Sequence, residues 1–214
     1  PMSAPVQNVY LDNNATTRVL PEVVEAMLPF FNEQWGNPSS AYHFGHQLTR
    51  PLDAARASVA ALIGAEPREI IFTSCGTESI NSALNLGSRI DPKKRHIIVS
   101  AVEHSATMKF CLHLEKAGIS VTRLQVAPDG TLDLKRLEQS IRPDTAMVSL
   151  IWANNETGVV FPIAEAAKLC RKRGILFHTD AVQAVGKIPV DVKSAEIDLL
   201  SLSGHKLNAP KGVG

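Results

Sequence analysis

Apolar residues fall into two rhythms along this chain: helical spacing in its first quarter, then short continuous runs alternating with helical stretches. Val9-Tyr10-Leu11 is a brief apolar segment leading into the polar cluster Asp12-Asn13-Asn14-Ala15-Thr16-Thr17, which reads as a loop. From Glu22 to Phe31, Val23, Val24, Met27, Leu28 and Phe31 recur at helical spacing behind Pro21, a residue suited to the first helical position. Trp35-Gly36-Asn37-Pro38-Ser39-Ser40 breaks that pattern. Leu48, Leu52, Ala55, Val59 and Leu62 then predict a helix from His46 to Ile63, with Gly64 as its stop and Pro51 as a kink or a later start.

Beyond residue 65 the alternation is regular. Strands are predicted at Glu69 to Thr73, His96 to Ser100, Ile119 to Val126, Ala146 to Trp152, Ile175 to His178 and Ile197 to Leu202. Helices are predicted between them: from the Ser74-Cys75-Gly76-Thr77-Glu78 turn to about Leu86, Ser105 to Lys116, Leu134 to Ile141, and Pro162 to Arg173. This alternation specifies an α/β fold, a mainly parallel sheet covered by helices on both faces, preceded by an N-terminal helical arm. The expected division is residues 1–65 for the arm and 66–214 for the large domain. In such a sheet, ligands bind beyond the carboxyl ends of the strands.

Composition narrows the function classes. The 214 residues, 44% hydrophobic and 20% charged, suffice for a sizeable core. A formal charge of +1 gives no electrostatic case for nucleic acid or an anionic membrane surface. No apolar run approaches the roughly 18 residues of a membrane span, and Pro1-Met2-Ser3-Ala4-Pro5 lacks the basic and then apolar character of a signal sequence. The expected location is cytoplasmic. Cys75, Cys111 and Cys170 are odd in number and widely spaced, arguing for reduced thiols rather than a disulfide framework or a zinc site.

The predicted strand ends bring candidate chemistry to one edge. Gly76 and Thr77 open a helix whose free N–H groups favour a phosphate, although Thr is also an ordinary helix cap. His104 is either a solvated loop histidine or a ring-stacking group. Asn154-Asn155-Glu156-Thr157-Gly158 has turn composition. Asp180 follows an apolar strand and needs a cationic partner if buried, either in a salt bridge or from a protonated pyridine nitrogen. Gln183 can reach the same ligand or solvent. Lys206, in Ser203-Gly204-His205-Lys206, is either a surface lysine or an amine placed to condense with a carbonyl. A phosphate grip, an acid for a ring nitrogen, a stacking histidine and an amine together describe the needs of pyridoxal 5'-phosphate.

These stretches resemble a known family over essentially the whole chain. Tyr10 to Thr17, Gly36-Asn37-Pro38-Ser39-Ser40, Phe72 to Ser79, Glu103-His104, Asn154 to Gly158, His178-Thr179-Asp180-Ala181-Val182-Gln183 and Ser203 to Lys206 are similar to the cysteine desulfurases. Those are fold type I pyridoxal-phosphate enzymes of the class V aminotransferase superfamily. Cys75-Gly76 before Thr77, and Leu207 to Gly212 after the lysine, look most like the nitrogen-fixation branch. The resemblance implies that Lys206 attaches the cofactor and Asp180 pairs with its ring nitrogen. It also implies that Gly76, Thr77, Ser203 and His205 hold the phosphate, that Asn155 and Gln183 contact the ring or substrate side, and that His104 stacks on the ring. Lys206 and His104 are the implied catalytic groups, and no metal is implied.

The implied reaction converts L-cysteine to L-alanine and passes sulfur to an enzyme persulfide, with an iron-sulfur scaffold protein as acceptor and a homodimer as the assembly. In the relatives the persulfide cysteine and the arginine that holds the substrate carboxylate lie further along the chain. The expectation is therefore a fragment that lacks its C-terminal small domain and is inactive alone. A selenocysteine lyase, a class V aminotransferase and a non-catalytic scaffold for sulfur acceptors are the competing readings. A stacking histidine argues against the aminotransferase.

Overall fold

Both faces of the central strands carry large apolar side chains, so a sheet built from them must be covered on both sides. In the computed structural model, which describes residues 9–214, five strands pair in the order β2-β1-β3-β4-β5, every pairing parallel. In chain order the elements begin with α1 Pro21–Met27, α2 Pro29–Asn32, α3 His43–His46, α4 Thr49–Ile63 and α5 Gly76–Arg89. They continue with β1 His96–Ser100, α6 Ser105–Lys116, β2 Ser120–Leu124, α7 Leu134–Ser140, β3 Thr145–Ile151, α8 Ile163–Lys172, β4 Leu176–Asp180 and β5 Leu199–Ser201. Every residue of β1 and β3 is buried, as a doubly covered parallel sheet requires.

Alternation along β1 sorts the core into two layers. Ile97 and Val99 pack with Ile80 and Leu84 of α5 and Cys111 and Leu114 of α6. Ile98 faces the other way, with Val148, Phe177 and the apolar side of α8. Gly87 lets α5 lie close on β3, since a Cβ there would meet Met147 Cε at 2.4 Å. Two histidines are stitched into the sheet. His178 bridges Ser149 Oγ at 2.8 Å and Ser201 Oγ at 2.9 Å, while His96 bridges the hydroxyls of Thr145 and Thr122, both at 2.8 Å. Burial holds both rings neutral, pushing His178 down to about 3 and His96 to about 4.

The α/β expectation therefore holds, with local corrections. The helix expected from Glu22 to Phe31 divides at Leu28 into α1 and α2, because Pro29 has no N–H to continue the first. The helix expected from His46 starts at Thr49, which leaves Pro51 in the first turn where its missing N–H does no harm. It stops at Gly64, which takes the left-handed φ of 72°. The strand expected at Glu69 to Thr73 is not a strand. Pro67–Glu69 forms a 3-10 turn, and beyond it Thr73 exchanges two backbone hydrogen bonds with Gly214, at 2.8 and 2.9 Å. β4 runs on through Asp180, so that residue ends the strand rather than following it. The expectations for Pro1 to Pro5 and for the start of the arm lie outside the described residues.

Strand order reverses between β1 and β3, and the crevice beyond their carboxyl ends is the place such a sheet offers a ligand.

Candidate active site

Each side chain at that edge is positioned by the end of a regular element. Cys75 and Gly76 begin α5, His104 caps α6, Ile151 and Asp180 end β3 and β4, and Ser203 to Lys206 follow β5 through a 3-10 turn. Together they enclose a cavity of about 380 Å³. Gly76, Thr77, His104, Asn155, Asp180, Gln183, Ser203, His205 and Lys206 all line it, so the nine residues singled out from the sequence meet in one place.

Asp180 lies at the floor, 3% exposed, with Oδ1 accepting the Val182 N–H at 3.1 Å. Burial pushes its carboxyl up, while that hydrogen bond and the charges of His104 and Lys206 draw it back down. A cation docked against Asp180 would relieve the same burial cost. Across the cavity, Lys206 Nζ donates to the carbonyls of Asn14 and Ala15, the latter at 2.8 Å. Burial, with Lys187 nearby, lowers its ammonium below the usual lysine range, which favours the free amine that a nucleophile needs.

The rim that could take an anion is the start of α5, a 14-residue helix. Cys75, Gly76 and Thr77 line the cavity there, and the helix brings the positive end of its dipole to it. Gly76 belongs there because a Cβ would lie 3.3 Å from Ser203 Cβ and from Val182 Cγ2, in the gap between helix and loop. His205 Nδ1 lies 3.0 Å from Thr16 Oγ1, and its backbone carbonyl accepts from the Thr17 hydroxyl at 2.9 Å, so the 12–17 loop is tied to the lysine turn. His104 is exposed, and its Nδ1 accepts the Ala106 N–H at 3.2 Å. That bond places the ring hydrogen on Nε2. Its ring is thus held at the mouth.

Sequence reasoning passed over Asn14 and Lys187. Asn14 accepts from Lys206 and from Gln183 Nε2 (2.8 Å) through its backbone carbonyl, and its Nδ2 donates to the Asn155 carbonyl at 3.0 Å. Lys187 Nζ donates to Gln183 Oε1 and, at 3.3 Å, to Asn14 Oδ1. Only membership of the polar cluster 12–17 signals Asn14, since no side-chain type reveals which backbone carbonyl will face a lysine. Of the cysteines, Cys111 and Cys170 are buried and pushed up to about 12 by burial. Cys75 lines the cavity beside α5, its thiol drawn down by the Glu78 N–H and Ser74.

A doubly covered parallel sheet thus carries an amine and an acid across one cavity, with a helix start on its rim. The chain belongs to the class-V aminotransferase family, whose pattern it matches over residues 9–214. Members of that family depend on pyridoxal phosphate. The chain is 54% identical over 206 residues to a cysteine desulfurase of Trichormus azollae, covering 96% of this chain and 52% of that protein. Over 208 residues it is 54% identical to the cysteine desulfurase NifS of Azotobacter vinelandii, covering 97% and 52%. Among solved structures, a NifS-like protein superposes with a TM-score of 0.94 at 41% identity, over 97% of this chain and 58% of that one. A structure described as SspA in complex with cysteine gives 0.92 at 37% identity, over 96% and 59%. The chain spans about half the length of the curated relatives it matches.

Proposed function

We propose that this chain is the cofactor-holding part of a cysteine desulfurase that binds pyridoxal 5'-phosphate in the cavity between Asp180 and Lys206. The observation that carries the reading is the convergence of Lys206, Asp180, His104 and the start of α5 on one cavity of about 380 Å³. The residues present fit the group. The gap kept open by Gly76 suits a phosphate against the α5 N–H groups, with Thr77, Ser203 and His205 around it, and Asp180 supplies the acid for a ring nitrogen. Asn155 and Gln183 serve the ring or substrate side, and His104 covers the ring from the mouth.

When bound, pyridoxal phosphate acts as an electron sink for the α-carbon of an amino acid. Asp180 would supply the carboxylate that a protonated ring nitrogen needs. Lys206 would hold the cofactor's carbonyl through Nζ, and as a free amine the same Nζ could take the substrate α-proton, with His104 Nε2 as a second group able to carry protons. In the overall change, L-cysteine and an enzyme thiol become L-alanine and an enzyme persulfide. The substrate C–S bond breaks, an S–S bond forms, and the thiol proton is returned to carbon. Burial of Cys111 and Cys170, and the position of Cys75 beside the helix start, support an accepting thiol that is none of these three. The acceptor beyond it is an iron-sulfur scaffold protein, in the cytoplasm; among the described residues no helix is long and apolar enough to cross a membrane.

We assign residues 1–65 to an N-terminal arm and 66–214 to the large domain, the boundary falling just after the left-handed turn at Gly64. Leu11, Phe31 and Trp35 on the arm are 84%, 71% and 66% exposed, an apolar surface suited to a second copy. Sedimentation of the full-length protein as a dimer is expected, and a monomer would remove that assignment. For the activity, Lys206→Ala in the full-length protein should reduce alanine release from L-cysteine by about a thousandfold or more. Wild-type protein that releases no alanine, or a variant that keeps its rate, would reject the reading.

A further inference from the structure

Glu103 carries a carboxyl that the proposed reaction does not use. Its side chain is 8% exposed and points into the structure behind the cavity rather than toward solvent. Ser100 Oγ donates to Oε1 at 2.5 Å, and the Ile151 N–H donates to the same oxygen at 2.9 Å. Oε2 is buried without a hydrogen-bond partner. The Ile151 contact has a structural cause. The β1–β3 ladder ends at Val99↔Ser149, two residues short of Ile151, and Glu103 supplies the acceptor that β1 no longer offers. A second tie lies beside it, where Asn154 Nδ2 donates to the Val102 carbonyl at 3.1 Å. The turn from β1 into α6 is thus fastened to the exit of β3 at the two residues just before His104.

We propose that Glu103 is a positioning residue: its buried carboxyl pins the β1–α6 turn to the end of β3 and so holds the His104 ring over the cavity. The inference rests on the proposed cofactor site for the purpose of the positioning, although the pinning itself does not. Glu103 does this as a neutral acid. An ionised Oε2 buried without a donor would be far costlier than a protonated one, and burial pushes the carboxyl up to about 8, with Asp180 of β4 raising it further and the Ser100 and Ile151 bonds opposing. Asp180 and Glu103 therefore divide their roles as neighbouring carboxyls do in a shared low-dielectric site. Burial raises both carboxyls, and the group without a donor on its second oxygen, Glu103, is the one that holds the proton.

Neutrality makes the amide a faithful substitute, because Gln retains the oxygen that Ser100 and Ile151 address. The test compares full-length wild type, Glu103→Gln and Glu103→Ala loaded with pyridoxal phosphate. The readouts are visible circular dichroism of the cofactor, which reports how the ring is held, and hydrogen exchange of the peptide spanning residues 101–106. Glu103→Ala is expected to lose at least half of the dichroic band and to exchange about tenfold or more faster in that peptide. Glu103→Gln is expected to match wild type in both. An alanine variant that matches wild type, or a glutamine variant as impaired as alanine, would overturn the proposal. If Glu103→Ala does not fold, Ser100→Ala removes one donor and keeps the carboxyl. It should show the same changes in smaller size, and its equality with wild type would count against the assignment. Wild-type protein with no visible band would count against the cofactor reading alone, leaving exchange, which needs no cofactor, to decide the role of Glu103.

Discussion

Lys206 makes two hydrogen bonds to backbone carbonyls of the 12–17 loop, so its amine is aimed across the cavity but not free. Attachment to a carbonyl must exchange those bonds for a covalent one, and the reduced basicity imposed by burial eases the exchange. Asp180 is the complementary group, buried and, among the described residues, without a salt-bridge partner, so its ability to ionise is the property to test. Asp180→Asn keeps the shape and removes the charge. We expect it to lower alanine release from L-cysteine by about a hundredfold or more, with a smaller loss of cofactor retention because the α5 cradle is untouched. Equal losses in both, measured by cofactor titration beside turnover, would show that Asp180 serves anchoring rather than chemistry.

At the scale of elements, the hydroxyl–histidine–hydroxyl bridges across the sheet give stability a defined pH dependence. His178 has a folded value of about 3 against an ordinary value near 6.5, so within that window the unfolded chain binds a proton that the folded chain does not. Stability therefore rises with pH through the window, is complete above it, and is lost as pH falls, by on the order of 3 kcal/mol at pH 4. His96 acts in the same direction. Glu103, raised to about 8, has the opposite sign: between its ordinary value of 4.5 and 8 the unfolded chain releases a proton that the folded chain keeps, so its contribution falls as pH rises. Urea midpoints measured from pH 4 to 8 should climb less steeply in His178→Gln than in wild type. In Glu103→Gln they should peak at higher pH. Identical profiles in all three proteins would contradict the buried, neutral state of these groups.

Legibility in the sequence followed where the determining contacts lie. β1 and α6 were readable to the residue, since a buried run or a helical stripe bounded by polar residues carries its own limits. The stretch from Glu69 to Thr73 was not, because its first residue closes the 3-10 turn Pro67–Glu69 and apolar β-formers become a strand only beside a ladder partner. Proline placement was ambiguous for a similar reason: Pro51 is harmless in a first turn and disruptive one turn later, and the bonding of neighbouring residues decides which.

For the whole molecule, five parallel strands deliver their terminal loops to one edge, and the 12–17 loop of the arm closes over them. Residues far apart in sequence become one site because the order of strands places them so. His104, Asp180 and Lys206 were legible from residue type and position after predicted strands. Asn14, Lys187 and Glu103 were not: Asn14 acts on Lys206 and Gln183 through its backbone, Lys187 through another side chain, and Glu103 through a buried bond to a strand end. The exposed Leu11, Phe31 and Trp35 belong to this scale too, as the surface proposed above for a second copy. The central claim is covalent attachment of pyridoxal phosphate at one amine. Borohydride reduction of the full-length, cofactor-loaded protein, followed by peptide mapping, tests it most directly. A stable pyridoxyl adduct is expected on the peptide containing Lys206. An adduct on another lysine, or none at all, would contradict it.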